Sequence, residues 1–401
     1  VTTGDQITGV RGGVVMLTAL LTSAMGAGTF AILSLGVLAS FIIDDLGITR
    51  GQLGLIIGAD TIFAGVAAPH LGALVDRLGG KRALVMVFCF AAAGWVTYAV
   101  APFYGLLFAG ALFSGTADST CNPATNRLIA EIIPVGRRGV VTGIKQSGVQ
   151  AGAFLGGLVL PSMAVAFGWR WTLAAVAVLP VIAALAVGWL VRMPPVREAE
   201  HRRARRTPLP GAIRWLASYG FLFGVAGSAS LLVPLFVEES LGFDARVGGL
   251  VAATIGLTGV VGRIWWARLS ERRIHYVAVL GVLTPLAVLS GAAFYLAGSF
   301  TWLMWIGALL MGFSTVSWNG VGMLAAMNEA GAAASGRASG AVVFGFLLGL
   351  GIGPPVYGAV VDWTGSYAPM WVLSIGASVA TGLLVLAWRR WSAGKPARVR
   401  P

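Results

Sequence analysis

Gly72-Ala-Leu-Val-Asp76-Arg77-Leu-Gly79-Gly80-Lys81-Arg82 is the stretch on which the fold turns. It lies between two long apolar runs, at about 51–75 and 83–101, and sets one acid among three cations in a very short polar gap. A second stretch, Gly262-Arg263-Ile-Trp-Trp-Ala-Arg268-Leu-Ser-Glu271-Arg272-Arg273, ends a later apolar run with the same kind of composition. Matching gaps at corresponding places in two halves of a chain are the trace of an internal repeat.

Working outward, apolar runs fall at about 14–42, 51–75, 83–101, 103–132, 139–166 and 169–191. They resume at about 212–238, 246–268, 277–297, 301–327, 338–361 and 370–391. A bilayer crossing takes roughly 20 apolar residues, so each run suits one span. The 401 residues are 57% hydrophobic and 11% charged, whereas soluble chains carry about 25% charged residues. So few charges cannot clothe a surface in water, and lipid is the solvent implied. The 57 glycines suit helices packed through small side chains. The expected fold is an all-α membrane protein of 12 transmembrane helices in two pseudo-symmetric six-helix bundles. The long hydrophilic stretch from Arg192 to Gly211 carries Arg197, Arg202, Arg203, Arg205 and Arg206. It is expected to be a cytoplasmic linker between an N-terminal bundle (1–191) and a C-terminal bundle with a short basic tail (212–401).

The net charge of +13 does not mark a nucleic-acid partner, because the cations sit in the gaps between apolar runs. There they report topology, since cytoplasmic loops are rich in Lys and Arg. One side holds Arg77, Lys81, Arg82, Arg137, Arg138, the linker, Arg268, Arg272 and Arg273, and the tail with Arg389, Arg390, Lys395, Arg398 and Arg400. The other side has Arg50, Arg170 and Arg246 among Asp44, Asp45, Glu238, Glu239, Asp244 and Asp362. Both termini are therefore expected in the cytoplasm. Arginine far outnumbers lysine, which points to a GC-rich bacterial genome and hence to the inner membrane. The first run is too long for a signal-peptide core and is expected to stay as a span. Cys89 and Cys121 fall inside apolar runs and read as packing residues rather than a disulfide. No metal-ligand spacing, cofactor motif or H-E-x-x-H set occurs, so neither an enzyme nor a cofactor is expected.

With these residues in view, the chain resembles the major facilitator superfamily over essentially its whole length. Gly72, Asp76, Arg77, Gly79, Lys81 and Arg82 match that family's G-x-L-x-D-R-x-G-x-K-R loop. The resemblance implies a gate: an Asp76 latch, held by a helix N-terminus and by arginines, that shuts the cytoplasmic side in the outward-facing state. It also implies a monomer. Phe167-Gly-Trp-Arg170-Trp171 and Asp362-Trp-Thr-Gly365-Ser-Tyr367 are similar to recurrent family segments. Two departures bear on function. Gly110-Ala111-Leu112 stands where many members carry a fourth-span arginine, and Gly157 stands where the antiporter pattern of Gly143, Gly152 and Gly156 has proline. Both weigh against drug antiport.

Ionisable side chains at mid-bilayer cost at least about 2.5–3.5 kcal/mol unless paired or hydrated, which makes the few present informative. Arg263 in the eighth run can fork onto a carboxylate and stays charged; its place resembles that of the anion-binding arginine of monocarboxylate and oxalate transporters. The alternative is an ion pair with Asp60 or Asp118. Lys145 in the fifth run lies among Gln146, Ser147 and Gln150, either facing a central cavity or snorkelling to water. Asp60 and Asp118 are the candidates for proton coupling, because burial makes a carboxyl able to load and release a proton. The alternative role is as fixed partners of Arg127, Lys145 or Arg263. Trp318, Asn319 and Tyr219 are expected to line the cavity, and Arg127 to be structural. Together these residues predict a secondary active transporter of a small, monocarboxylate-like organic anion, working by alternating access with proton symport. The alternative is proton-coupled efflux of amphipathic drugs or metabolites.

Overall fold

A backbone in lipid must satisfy its own hydrogen bonds, so an apolar segment of this length folds as a helix. In the computed structural model, which describes residues 13–134, 137–191, 208–330 and 335–393, the apolar runs are helices. In chain order they are α1 (Gly13–Val37), α2 (Ala39–Leu46), α3 (Arg50–Leu78), α4 (Gly80–Val100), α5 (Tyr104–Ile132), α6 (Arg138–Gln146), α7 (Gly148–Phe167) and α8 (Trp169–Leu190). The second set is α9 (Gly211–Ser228), α10 (Val233–Glu239), α11 (Ala245–Arg272), α12 (Tyr276–Ala297), α13 (Leu303–Met311), α14 (Trp318–Ala330), α15 (Ser335–Thr364) and α16 (Ala368–Ala393). Eleven spans are long and apolar enough to cross a membrane. The helix α5 is just as long but carries Asp118, Asn122, Asn126, Arg127 and Glu131, which lower its hydropathy. It completes the expected twelve.

Four spans contain a break that their apolar pattern does not announce. Leu38 separates α1 from α2, and Ser147 separates α6 from α7. A 3₁₀ turn at Ala229–Leu232 joins α9 to α10, and a π turn at Gly312–Val316 joins α13 to α14. Glycine, serine and threonine at these points supply little packing and compete for backbone hydrogen bonds. Two of them, at Ser147 and at Gly312–Val316, adjoin the carbonyls of Gln146 and Val316.

The helices form two bundles. In the first, α4 packs on α5 and α8, α3 on α5, and α1 on α7; in the second, α9 packs on α15 and α16, and α12 on α13 and α16. The most extensive contacts between the bundles are those of α3 with α15 and of α7 with α11. Both are close approaches that exclude side chains: a Cβ on Gly54 would lie 2.4 Å from the Pro354 carbonyl oxygen, and one on Gly157 2.5 Å from that of Gly249. The glycine that replaces the antiporter proline thus sits where the two bundles touch most closely. Of the linker expected at 192–211, residues 192–207 lie outside the described residues, as do Lys395, Arg398 and Arg400 of the tail. Cys121 is buried as expected, but Cys89 is exposed on α4. A small thiol is apolar enough to face lipid, so an apolar run does not by itself bury it.

Overpacking such a contact costs about 1–3 kcal/mol. Gly157→Val should therefore lower the melting temperature of the detergent-purified protein. Gly376→Val should leave it unchanged, because a Cβ there meets nothing within 4 Å. Equal melting of the two variants would contradict the packing described.

Candidate functional site

Lys145 lies in the last turn of α6, one residue before Gln146, which ends that helix at the break at Ser147. Its side chain is fully buried, 0% exposed. The ammonium donates to Thr125 Oγ1 (2.6 Å), Asn126 Oδ1 (2.7 Å) and Asn122 Oδ1 (3.3 Å), all on α5. Gln146 Nε2 joins the same cluster through Asn122 Oδ1 at 3.0 Å. A fixed lysine in neutral company is thus seen, rather than one snorkelling to the surface.

Arg263 comes from α11 in the other bundle. Its guanidinium donates across the interface to the Gln146 carbonyl (3.2 Å), and within its own bundle to the Val316 carbonyl of the π turn (3.5 Å). Its Nε is buried with no partner. Beside it, Trp266 Nε1 takes the Phe313 carbonyl of the same π turn at 2.7 Å. The two cations therefore meet through Gln146, one from each bundle. Among the described residues neither forms an ion pair: the salt bridges join Arg50 to Glu239 and Asp362, Arg127 to Asp76 and Glu131, and Arg170 to Asp45. The alternative of an Arg263 pair with Asp60 or Asp118 is not what the structure holds. Next to this junction, a mostly apolar cavity lies between the bundles, lined by Val37, Gln150, Ala153, Leu231, Ile255 and Val316 among others. Gln150 Oε1 is buried there without a partner.

Asp60 on α3 is 0% exposed, and neither carboxylate oxygen has a hydrogen-bond partner. Asp118, on the facing helix α5, and Tyr98 lie within electrostatic reach of it. Asp118 is half-buried. Tyr219 and Trp318 are placed differently from the expectation. Both are fully buried in the core of the second bundle, where their rings pack at 5.6 Å and Tyr219 donates to the Leu280 carbonyl at 3.2 Å. In this conformation they are packing residues set back from the cavity, because Gly220 and Gly322 leave room for the indole inside the bundle. Asn319, one residue on, is half-buried.

The basic loop lies at the open end. The Asp76 carboxylate is 61% exposed and reaches only Arg127, at 3.9 Å, within its own bundle. Arg127 in turn holds Glu131, whose other oxygen accepts from the Gly80 amide at 3.2 Å. Lys81 caps the Gly188 carbonyl of α8 at 2.8 Å, and Gly79 has φ +78°, a backbone turn open to glycine. Arg77 and Arg82 point outward from the same turn and are exposed, and a Cβ on Gly72 would meet nothing. None of the bonds of Asp76 or Lys81 crosses to the second bundle.

The crossing contacts are on the opposite face, where the sequence pattern suggested only topology. Arg50 at the start of α3 reaches Glu239 (2.7 Å) and Asp362 (3.3 Å), both from the second bundle. Asp362 also accepts from the Arg50 and Gly51 amides (3.2 and 2.8 Å), so it caps the N-terminus of α3 from across the interface. Tyr367 donates to Glu239 at 2.6 Å. Burial, then this bond and the nearby charge, hold the Tyr367 hydroxyl above the ordinary phenol range, so it remains a donor. The face opposite the basic loops is thus sealed by bonds between the bundles, whereas among the described residues the ion pair of Asp76 stays within the first bundle. The residues that sequence reasoning missed are Arg50, Glu239 and Asp362 in this seal and Asn122, Thr125 and Asn126 around Lys145. Asp118, Asn122 and Asn126 follow a four-residue spacing, with Thr125 three residues after Asn122, a pattern that marks one polar helix face.

Two helical bundles, joined at one end and around a buried junction of two cations, define a polytopic membrane protein. The chain belongs to the Major Facilitator Superfamily, whose model matches residues 16–354. It is 23% identical over 401 residues to a hexuronate transporter of Bacillus subtilis (strain 168), covering 91% of this chain and 92% of that one. It is 25% identical over 403 residues, 88% of each chain, to a Cupriavidus necator protein described as a probable sulfoacetate transporter. Its fold is similar, at a TM-score of 0.75 and 15% identity, to the crystal structure of a bacterial homolog of the human lysosomal transporter Spinster in an inward-facing, occupied conformation. That alignment covers 94% of this chain and 96% of the other. As a member of this family the chain is a multi-pass membrane transporter, not an enzyme.

Removing Arg50 should loosen the seal. A cysteine placed at Val37, beneath it, should react faster with a membrane-impermeant thiol reagent added from that face in Arg50→Ala than in the otherwise native chain. An unchanged rate would show that the ion pairs do not hold the seal.

Proposed function

We propose that the protein moves a small organic anion across the bacterial inner membrane by alternating access, with a proton as the coupling ion. The observation that carries this reading is the pair of cations Lys145 and Arg263, joined through Gln146 at the bundle interface, whose partners among the described residues are neutral oxygens. A buried charge without a counter-ion is costly. An anionic substrate supplies that counter-ion, and an arginine fork with an ammonium beside it fits a carboxylate. Gln146, already bonded to Asn122, and Gln150 add amide groups for the remainder of a small polar molecule. The hexuronate and sulfoacetate relatives support an anion as cargo, since both names describe organic anions.

An unpaired carboxylate sealed from water is also costly to ionise, which makes Asp60 the group best placed to carry the proton, with Asp118 as its neighbour. Asn319, half-buried, is the one of the three expected lining residues left to extend the clamp, while Trp318 and Tyr219 support it from the core of the second bundle. In the inward-open arrangement, with the basic face cytoplasmic, Arg50, Glu239 and Asp362 close the outer side. When the bundles rock, that seal opens, and the segment Gly72–Arg82 closes the cytoplasmic side through Asp76. Both termini lie in the cytoplasm, and the transporter works as a monomer.

Uptake of a monocarboxylate or hexuronate panel into proteoliposomes tests the clamp. Arg263→Ala should abolish uptake while the protein keeps its melting behaviour; normal uptake would overturn the assignment, and preference for cationic or neutral drugs would favour efflux. The coupling is tested separately. Asp60→Asn should retain exchange of internal for external substrate but lose accumulation driven by an imposed proton gradient. Gradient-driven accumulation equal to that of the native protein would exclude Asp60 as the proton carrier.

A further inference from the structure

The outer wall of the second bundle carries a groove that the transport site does not use. It lies between α12 and α16 and encloses a cavity of about 330 Å³, with Gly281, Thr284, Pro285, Ser378, Gly382 and Arg389 among its lining. On α16 these positions follow one helical stripe, from Ser378 through Gly382 to Arg389. Small residues form the floor, and the rim residues Val379, Leu383 and Leu386 are exposed on the surface that faces the bilayer. The stripe is eleven residues long, about 16 Å at 1.5 Å per residue, or close to half of the roughly 30 Å hydrocarbon core. The groove therefore spans one leaflet.

Its polar end is the basic end. The Arg389 guanidinium lies against the bare backbone of Gly281, where a Cβ would come within 2.8 Å of it. Among the described residues no carboxylate pairs with Arg389. Arg390 adds a second cation at the same level in the last turn of α16. A slot one leaflet long, apolar along its length and ending at an unpaired arginine, matches an acyl chain joined to an anionic head group. Basic pockets between membrane helices on the positively charged side favour such lipids, and arginine takes a phosphodiester through paired N–H donors.

We infer that the groove between α12 and α16 is a binding site for an anionic phospholipid, with an acyl chain lying on Thr284, Ser378 and Gly382 and the phosphate on Arg389, beside Gly281. This site is independent of the cargo and of the coupling ion. A zwitterionic lipid offers the same acyl chain but no net charge, so head-group charge sets the preference.

Native mass spectrometry of the full chain, purified in detergent and exposed to phosphatidylglycerol or phosphatidylethanolamine of matched chains, tests this. The native protein should retain phosphatidylglycerol preferentially. Arg389→Gln should weaken that retention about fivefold, the effect of one arginine near an anionic head group. Gly382→Leu, which fills the slot and leaves the charge, should weaken it as well. Arg214→Gln, an exposed arginine on another helix, should leave it unaltered. Equal retention of the two lipids by the native protein, or native-like retention by both groove variants, would overturn the proposal.

Discussion

The structure depends on two cations held in the membrane by oxygens that carry no charge. Lys145 rests on Asn122, Thr125 and Asn126, and Arg263 rests on two helix carbonyls exposed by breaks. These partners stabilise an ammonium and a guanidinium enough to keep them in place, and they leave the charge uncompensated. A carboxylate partner from the protein would have neutralised the site permanently. The breaks at Ser147 and in the π turn lie beside the two carbonyls that Arg263 uses, and irregular backbone of this kind is frequent at functional sites. Two of the four breaks, at Ser147 and at Gly312–Val316, thus lie where a charge is held.

The second constraint is mechanical. The bundles touch most extensively along two helix pairs, and in both the closest approach is glycine against backbone. Such seams carry little interlocking of side chains, so the bundles can turn about them without repacking a core. Charge decides which end is shut. On the sealed face Arg50, Glu239 and Asp362 join the bundles, while on the basic face Asp76 is turned back to its own bundle. Surface ion pairs are weak singly, about 0–1 kcal/mol. A seal of this kind adds up across several bonds and can still be broken within the cycle of a transporter.

Much of this was legible in the sequence. The span ends follow hydropathy closely because lipid tolerates no polar loop, and the doubled Gly72–Arg82 and Gly262–Arg273 stretches announce the two halves. The isolated charges Asp60, Lys145 and Arg263 were legible for the same reason: a charge in an apolar run has few reasons to be there. What they touch was not. Gln146 meets Arg263 because Ser147 breaks a helix, and serine inside an apolar run gives no sign of that. Trp318 looked like a cavity wall because it sits mid-span, yet Gly220 and Gly322, far apart in sequence, make room for it inside the bundle. Arg50 and Asp362 lie 312 positions apart, so only the folded interface turns two loop-end charges into a seal.

The central claim is that Lys145 and Arg263 act together on one carboxylate. Binding of a hexuronate or small monocarboxylate to the purified protein, measured by calorimetry for the native chain, Lys145→Gln, Arg263→Gln and the double variant, tests it most directly. Each single substitution should weaken binding by roughly 10-fold or more, the scale of a hydrogen bond to a charged group. The double variant should lose less than the product of the two, because both cations hold the same anion. Native affinity in both single variants, or losses that simply multiply, would contradict a shared clamp.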